Sequence, residues 1–590
     1  MPELPHREVP DHGVQPEGSN EPFDAGQIAV PAQVRIRIQG VEIANLISKV
    51  TLTQSVNNHH QLEIIVVHPA DEQMLDPTDF ADYLGNSISV NIATIIDGEA
   101  GDDTQEFAGI VTGINVDNRV DATNRVHIIA ASPTIGMDRA KIRRFWYEQS
   151  PSDIIASVLG SHSITVGTTD TMGSQTEFIA QYDETDYEFV KRLASSEGRF
   201  SYYDGTEFRV VGPSTGDRVE LNLGQNLGSF RFNLGVDNPK YQSNVYDYLE
   251  KNTYTQDTNS ASPQASLSSI QNKSPQASDN IFSQTSFVEI GQARDNRTVD
   301  NILTTKARSS FSRMVTCRCS SSVAAVKVGS CVEINGVEAL AGMYFVTKVI
   351  HHIDESSSYY NEFWCSPIEL VFPEQFYGKP KVTQLQPAVV TDNNDPEQLG
   401  RVKVSFPWSS GDDTPWIRVA STHAGQERGW YVIPEIGDEV LIGYEFGNPD
   451  LPVVIASMYN SEDTPIGKID SETNNVKIFT TRSGNEIYMS DADGEETIQI
   501  SNQDGQNQIV LTLNGPSITI KSDGDITIDG ANITIKASDG LTLESGSDTS
   551  ISAGAGLTAE ASASGKLKAS GTLDVEGAMV NVKGNPINLN

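Results

Sequence analysis

Cysteine is scarce, with four residues in a chain of 590. Cys317, Cys319, Cys331 and Cys365 cannot staple a chain of this length, so no disulfide framework is expected and a reducing compartment suits its folding. Positive charge is short as well: 41 Lys and Arg stand against 79 Asp and Glu, for a net charge of −38. Nucleic acid and anionic membranes both require a cationic footprint, so neither is expected as a standing partner. No apolar run reaches the roughly 20 residues that a helix needs to cross a bilayer. The first residues carry no basic segment followed by an apolar one, so no secretory signal is read there. Walker A, G-x-S-x-G and H-E-x-x-H patterns are all missing, which removes the usual signatures of nucleotide, acyl and zinc-peptide chemistry. Aromatic residues stop at Tyr488 and arginine stops at Arg482.

At roughly 150 residues per domain, the length predicts about four domains. Residues 1–28 hold Pro2, Pro5, Pro10, Pro16 and Pro22 among acids, and read as a disordered tail that buries too little to offset its ordering entropy. Period-two alternation then begins at Val34, Ile36 and Ile38 and recurs through Val126, Ile128 and Ala130, the signal of strands. One helix is clearly marked. Thr185 and Glu188 form a capping box, Phe189, Val190, Leu193 and Ala194 its apolar face, and Gly198 its stop. A hairpin turning at Asp204-Gly205 follows it. Residues 255–286, rich in Ser, Gln and Asn, read as a mobile loop. Gly378 and Pro380 suggest a boundary near 380.

The last 125 residues look disordered by composition, but their spacing argues otherwise. Ile520, Ile528, Ile535, Leu543, Ile551, Ala559, Leu567, Val575, Val582 and Leu589 follow one another at steps of seven or eight. At most of them a second apolar residue stands two places earlier, as Ile518, Ile526, Ile533, Leu541, Leu557, Leu573, Val580 and Ile587 do. Such a pair puts both side chains on one face of a short strand. Gly524, Gly530, Gly540, Gly546, Gly554, Gly571 and Gly577 lie between and are expected at corners with positive φ. A linker of low complexity would not hold register through ten repeats, so the run predicts a β-solenoid. Eight residues give a side of about 20 Å or less, which is one edge of a triangle and not a closed coil. Either three successive octads of one chain or three chains complete each turn.

Residues 387–465 carry the most specific text: Gly400-Arg-Val-Lys-Val-Ser-Phe-Pro-Trp408, then Trp416, then Ile433-Pro-Glu-Ile-Gly-Asp-Glu-Val-Leu-Ile442 and Phe446-Gly-Asn-Pro-Asp450. This segment resembles the OB-fold of VgrG-type spike proteins and of the cell-puncturing spikes of contractile phage tails. The stretch from Gln181 to Gly198 resembles the helix of their hub region, and the octads resemble their spike β-helix. The resemblance implies a mainly β chain. Residues 29–380 would form a phage-hub-like region with two barrel subdomains, 381–465 an OB-fold, and 466–590 a trimeric β-helix shaped as a triangular prism.

The same resemblance implies a homotrimer that joins a six-fold inner tube (Hcp-like) to a puncturing tip and is driven by sheath contraction. Baseplate proteins and effector cargo would be further partners, and contact with the target membrane would be transient. The trimer axis would be lined by Ile520, Ile528, Ile535, Leu543, Ile551, Leu567, Val575 and Val582. A PAAR-type tip protein would sit on Pro586, Ile587, Asn588, Leu589 and Asn590, since the chain stops there without an effector extension. Synthesis in the bacterial cytoplasm and assembly into the particle would follow. No cofactor, metal site or catalytic residue is expected. The Cys317 and Cys319 pair reads as buried thiols, His59, His60, His351 and His352 lack a third ligand at metal spacing, and Asp491-x-Asp493-Gly494 reads as a turn. The alternative is a β-helical surface-glycan hydrolase or adhesin. The aromatic-free carboxy-terminal stretch gives it no platform for sugar stacking.

Overall fold

A computed structural model describes the chain except for residues 1–27, 44–45, 69–77, 97–98, 119–123, 174–175, 217, 264–266, 291–295, 375–380, 410, 467–471 and 589–590. The expected tail, 1–28, therefore lies almost wholly outside the described residues. The rest is mainly β and divides into two compact units, residues 1–465 and 466–590.

The first unit is built on a 13-stranded sheet that closes on itself twice. One ring runs Gly342–Ile353, Leu46–Ser55, Gln61–His68, Asn124–Ala131, Glu99–Asp117, Ser87–Ile96, Val30–Ile38 and Ser358–Pro367, and returns to its start. A second ring runs Arg218–Asn222, Cys331–Asn335, Gly342–Ile353, Ser358–Pro367, Val315–Ser321 and Leu227–Leu234. Its end strands meet at the Leu223–Leu227 bridge. The two barrels thus share one hairpin, Gly342–Ile353 with Ser358–Pro367. Residues 342–345 of its first strand pair into the second ring and 348–353 into the first, with a bulge between Val346 and Lys348. A bulge re-aims a strand, and here it hands the hairpin from one barrel to the other.

Each barrel buries its own alternating face. Ile36, Leu52, Ile64, Val90 and Ile128 fill the first, and Cys317, Cys319, Cys365, Tyr344 and Phe363 fill the second. The helix Asp186–Ser196 forms as its sequence predicts. The Glu188 amide donates to Thr185 Oγ1 at 3.1 Å, the Thr185 amide donates to Glu188 Oε2 at 3.0 Å, and Gly198 takes φ +69°. Phe189, Val190, Leu193 and Ala194 are buried.

The stretch expected as a mobile loop, 255–286, instead contains the helix Lys273–Ile281 and strand segments at both ends. Composition misleads there because the small polar residues are packing residues. Ser274 and Ser278 are buried, and their hydroxyls donate to the Met314 carbonyl at 3.3 Å and to its sulfur at 3.6 Å. Small side chains let that helix lie against Asn296–Met314.

Residues 386–457 form a five-stranded sheet in the order Lys403–Ser405, Gln386–Asp392, Glu439–Tyr444, Pro452–Ser457 and Arg418–Val419. The Val402–Ile417 bridge joins its ends into a barrel. Ala388, Val390, Val404, Phe406, Val440, Ile442 and Val454 fill it, and Phe145 of the hub packs on that core.

The second unit begins with an antiparallel meander of five strands, Val476–Thr480, Glu486–Ser490, Thr497–Ser501, Asn507–Thr512 and Ser517–Ser522. From 523 to 588 the described residues form no strand. The β-helix expected over 466–590 is not seen among the described residues. None of the glycines expected at its corners takes positive φ, because the chain there bends without the tight reversals that demand a left-handed residue.

Candidate assembly site on the carboxy-terminal unit

The five strands of the meander stand in register so that two apolar rows cross the same face. Phe479, Ile487, Ile500, Ile509 and Ile520 are successive cross-strand partners. Two residues along each strand run Lys477, Met489, Ile498, Leu511 and Ile518. Side chains two apart share a face, so the rows lie side by side, and direct cross-strand pairs are the stabilising unit of such a sheet. The opposite face is mixed: its central row runs Ile478, Tyr488, Gln499, Val510 and Thr519, flanked by Val476, Ser490, Thr497 and Thr512 on one side and Glu486, Ser501 and Gln508 on the other. Each of the four reversals holds a glycine in left-handed conformation: Gly484 at +76°, Gly494 at +82°, Gly505 at +63° and Gly515 at +71°. Their spacing of ten or eleven is the sequence signal that an octad search passes over. It marks hairpins, whereas the octads beyond mark a different winding.

The apolar face lines a shallow groove of about 600 Å³, bounded by Phe479, Ile487, Ile500, Ile509, Ile520 and Ile526. The double row continues in sequence through Ile526 and Ile528, Ile533 and Ile535, and Leu541 and Leu543. All the predicted axial residues are exposed in the single chain. Ile520, Ile528 and Ile551 are exposed, Ile535 is 64% exposed, Leu543 78% and Leu567 85%, with Val575 and Val582 alike open. Pro586, Ile587 and Asn588 of the predicted tip interface are exposed too, whereas Leu589 and Asn590 lie outside the described residues. Contiguous exposed apolar residues on one sheet face mark an interaction surface.

The remaining sequence candidates resolve into structural roles. Cys317 faces Cys365 across paired strands, and all four thiols are buried and free of disulfides. Burial pushes the Cys331 thiol up to about 11 and raises Cys319 and Cys365 as well, which leaves them protonated and unreactive. Among the described residues no group of three or more His, Cys, Asp or Glu could hold a metal ion. His351 is buried between Tyr359 Oη, 2.8 Å from Nδ1, and Gln54 Oε1, 3.3 Å from Nε2. His60 is equally buried and neither ring nitrogen finds a hydrogen-bond partner. Asp491 and Asp493 stand in the hairpin turn closed by Gly494, with Asp491 held by Lys477 Nζ at 3.0 Å.

The OB tryptophans divide. Trp408 packs on Phe145 of the hub with centroids 4.9 Å apart, Trp416 lies under Lys403 Nζ at 5.1 Å, and Trp430 is exposed. Among the described residues no helix is long and apolar enough to cross a membrane.

Twin barrels sharing a hairpin, a five-stranded OB barrel docked on them and an uncovered apolar ladder define a hub component of a contractile tail or secretion machine. Two family models match this architecture. The phage tail baseplate hub (GPD) matches residues 58–357, and the type VI secretion system/phage-baseplate injector OB domain matches residues 386–459. The first spans just over half of the chain, and the chain belongs to the phage tail baseplate hub family.

Among curated relatives, the type VI secretion system spike protein VgrG5 of Pseudomonas aeruginosa is 34% identical over 165 residues, 25% of this chain and 21% of that protein. Spike protein VgrG3 of Vibrio cholerae is 29% identical over 187 residues, 30% of this chain and 18% of that protein. The matched stretch thus spans about a fifth of these relatives' length. Among solved structures, a Francisella PdpA–VgrG complex shares the fold with a TM-score of 0.56 at 10% identity, over 84% of this chain and 89% of that one. The Escherichia coli c3393 protein, a component of the type VI secretion system, gives 0.50 at 14% identity, over 72% and 99%. The resemblance to VgrG-type spikes drawn from residues 181–198 and 387–465 therefore stands, and the class is a baseplate-hub protein with an injector-type OB domain.

Proposed function

We propose that three copies of this chain assemble into the hub and spike of a contractile injection system, which carries force from a contracting sheath to a tip that pierces the target envelope. The observation that supports this is the apolar row Phe479, Ile487, Ile500, Ile509 and Ile520 on one face of the meander, open in a single chain and continued in sequence by the exposed apolar pairs from Ile526 to Val582. Three such faces turned inward bury every axial Ile, Leu and Val, at about 1.5–3 kcal/mol per side chain. The ladder of predicted axial residues Ile520, Ile528, Ile535, Leu543, Ile551, Leu567, Val575 and Val582 then becomes the packed core of a stiff prism. Strands absent from residues 523–588 in one chain form against the neighbouring copies.

At the other end, two barrels per chain make six in a trimer, which matches a six-fold inner tube of Hcp-like protein. A PAAR-type tip protein docks on residues 586–590. Baseplate proteins surround the hub, and effector cargo travels with it. The role is mechanical and no reaction step is assigned to any residue. The chain is made in the bacterial cytoplasm, enters the particle there, and touches the target membrane only in passing.

Size-exclusion chromatography with light scattering on the full chain tests the central point. A trimer is expected, and a monomer at micromolar concentration overturns the proposal. Co-purification with a PAAR-type protein is expected to succeed and to fail after deletion of residues 584–590.

A further inference from the structure

The OB barrel carries an arm that touches little of its own chain. Residues 420–432 are exposed without interruption, although they include Trp430, Tyr431 and Val432. The arm is nevertheless pre-shaped. Ala424 pairs with Gly429, the Trp430 amide donates to the His423 carbonyl at 2.8 Å, and Ser421 Oγ donates to the Trp430 carbonyl at 3.0 Å. Its root is fixed by Pro434, which is buried, and by Ile433, which packs on the barrel core. A rigid hairpin that offers a Tyr at 81% exposure and a Val at 48% loses little entropy on contact, and aromatic anchors of this kind dominate interface energetics.

The same barrel exposes a complementary strip. On the outer face Pro387 pairs opposite Leu441, and Leu441 opposite Ala456. Beside them Leu385 and Ile455 close over Gly443, whose missing side chain makes room for the Ile455 side chain to lie flat on the sheet. Leu385, Val389 and Ile455 are all exposed. The strip and the arm thus lie on one domain, and each is left open in a single chain.

We infer that the arm of one copy seats on the Leu385–Gly443–Ile455 strip of the next copy, so that three OB barrels close a head-to-tail ring. This rests on the trimer proposed above and adds a second, separate contact to it. Two observations favour a copy of this chain over another partner. First, one ring satisfies arm and strip at once, since each copy gives an arm and receives one, which is how a heterologous contact closes. Second, charge permits it. Copies with net charge −38 repel one another, yet the arm balances Glu427 with Arg428 and the strip is apolar up to Glu439. Contact here brings copies together where little like charge opposes it.

Disulfide scanning on the full chain tests this, because the four native thiols are buried. Tyr431→Cys is combined in turn with Leu385→Cys, Val389→Cys and Ile455→Cys, treated with diamide, and run on non-reducing gels beside light scattering of the untreated protein. At least one pair is expected to give covalent dimers and trimers that neither single variant gives. A particle that remains trimeric while every pair fails to link copies overturns the arm contact and leaves the trimer standing. A monomeric particle overturns both.

Discussion

Asp450, in the OB barrel, accepts a hydrogen bond from the backbone amide of Ala180, in the hub strand Thr176–Glu184, at 2.9 Å. The bond belongs to a seam. Arg143 forks onto Asp183 at 2.8 and 3.0 Å while stacking on Tyr182 at 4.5 Å. Trp408 packs on Phe145 and donates from Nε1 to Gln386 at 3.0 Å, Gln386 bonds Tyr182, and Arg418 lies over Tyr248 at 4.6 Å. Charged, aromatic and backbone contacts together tie the OB barrel to the hub.

Trp408→Ala is expected to lower the stability of this unit by about 3 kcal/mol, the lower end for a large aromatic because the ring is only half buried. It is also expected to split one cooperative urea transition into two. Tryptophan fluorescence and far-UV circular dichroism report the split as non-coincident midpoints.

Acid is expected to open the hub. Burial, the leading cause, holds both His60 and His351 down at about 3, against an ordinary value near 6.5. Between those values the unfolded chain binds protons that the folded chain refuses, so stability is present above pH 6.5 and is lost as pH falls toward 3. Two such groups give a slope of up to about 2.7 kcal/mol per pH unit. His60→Phe is expected to remove about half of that slope, read from urea midpoints between pH 4 and 6.5. An unchanged slope would rule out His60 as a source.

Asp395 and Arg401 form a buried pair at the start of the OB barrel. Arg401 Nη2 donates to Asp395 Oδ1 at 2.7 Å and Nε donates to Oδ2 at 3.1 Å, while the amides of Glu397, Leu399 and Arg401 donate to the same carboxylate. Burial pushes this carboxyl up, but the Arg401 guanidinium and the amides outweigh it and hold it at about 2. Arg401→Met leaves the buried carboxylate its amide donors but no counter-charge, and is expected to destabilise the barrel by about 3 kcal/mol. Thermal unfolding of the full chain measures it.

In the proposed prism Ile535→Asp puts a charge on the inward row, whereas Thr534→Asp puts one on the outward side of the same segment. The first is expected to yield monomers in light scattering and the second to leave the assembly intact. Equal behaviour of the two would contradict a ladder with one inward face.

The native thiols are expected to resist Ellman's reagent. Burial raises Cys319, Cys331 and Cys365 away from thiolate, so stoichiometric reaction should appear only in denaturant. Rapid reaction of the folded chain would show the second barrel to be open.

Much of the architecture was legible before any coordinates, because local spacing encodes it. The capping box at Thr185 and Glu188, the apolar face from Phe189 to Ala194 and the hairpin at Asp204-Gly205 depend on neighbours within a few residues, and each forms as spaced. The pairing of Ile518 with Ile520 and its repeats likewise predicts one apolar face. Residues 255–286 read as a loop by composition because Ser274 and Ser278 are buried by a distant residue, Met314, that no local window contains. The meander from Val476 to Ser522 is hidden in the sequence because its period of ten or eleven runs straight into an octad pattern with the same apolar pairs.

Periodicity thus set which side chains share a face, since alternation along a strand is a property of the backbone itself. Long-range pairing settled the rest: that Gly342–Ile353 and Ser358–Pro367 serve two barrels at once, that Trp408 closes on Phe145, and that His60 is sealed from water. Those outcomes depend on which strands meet after loops of many residues close, and the free energy that selects them comes from contacts between segments far apart in the chain.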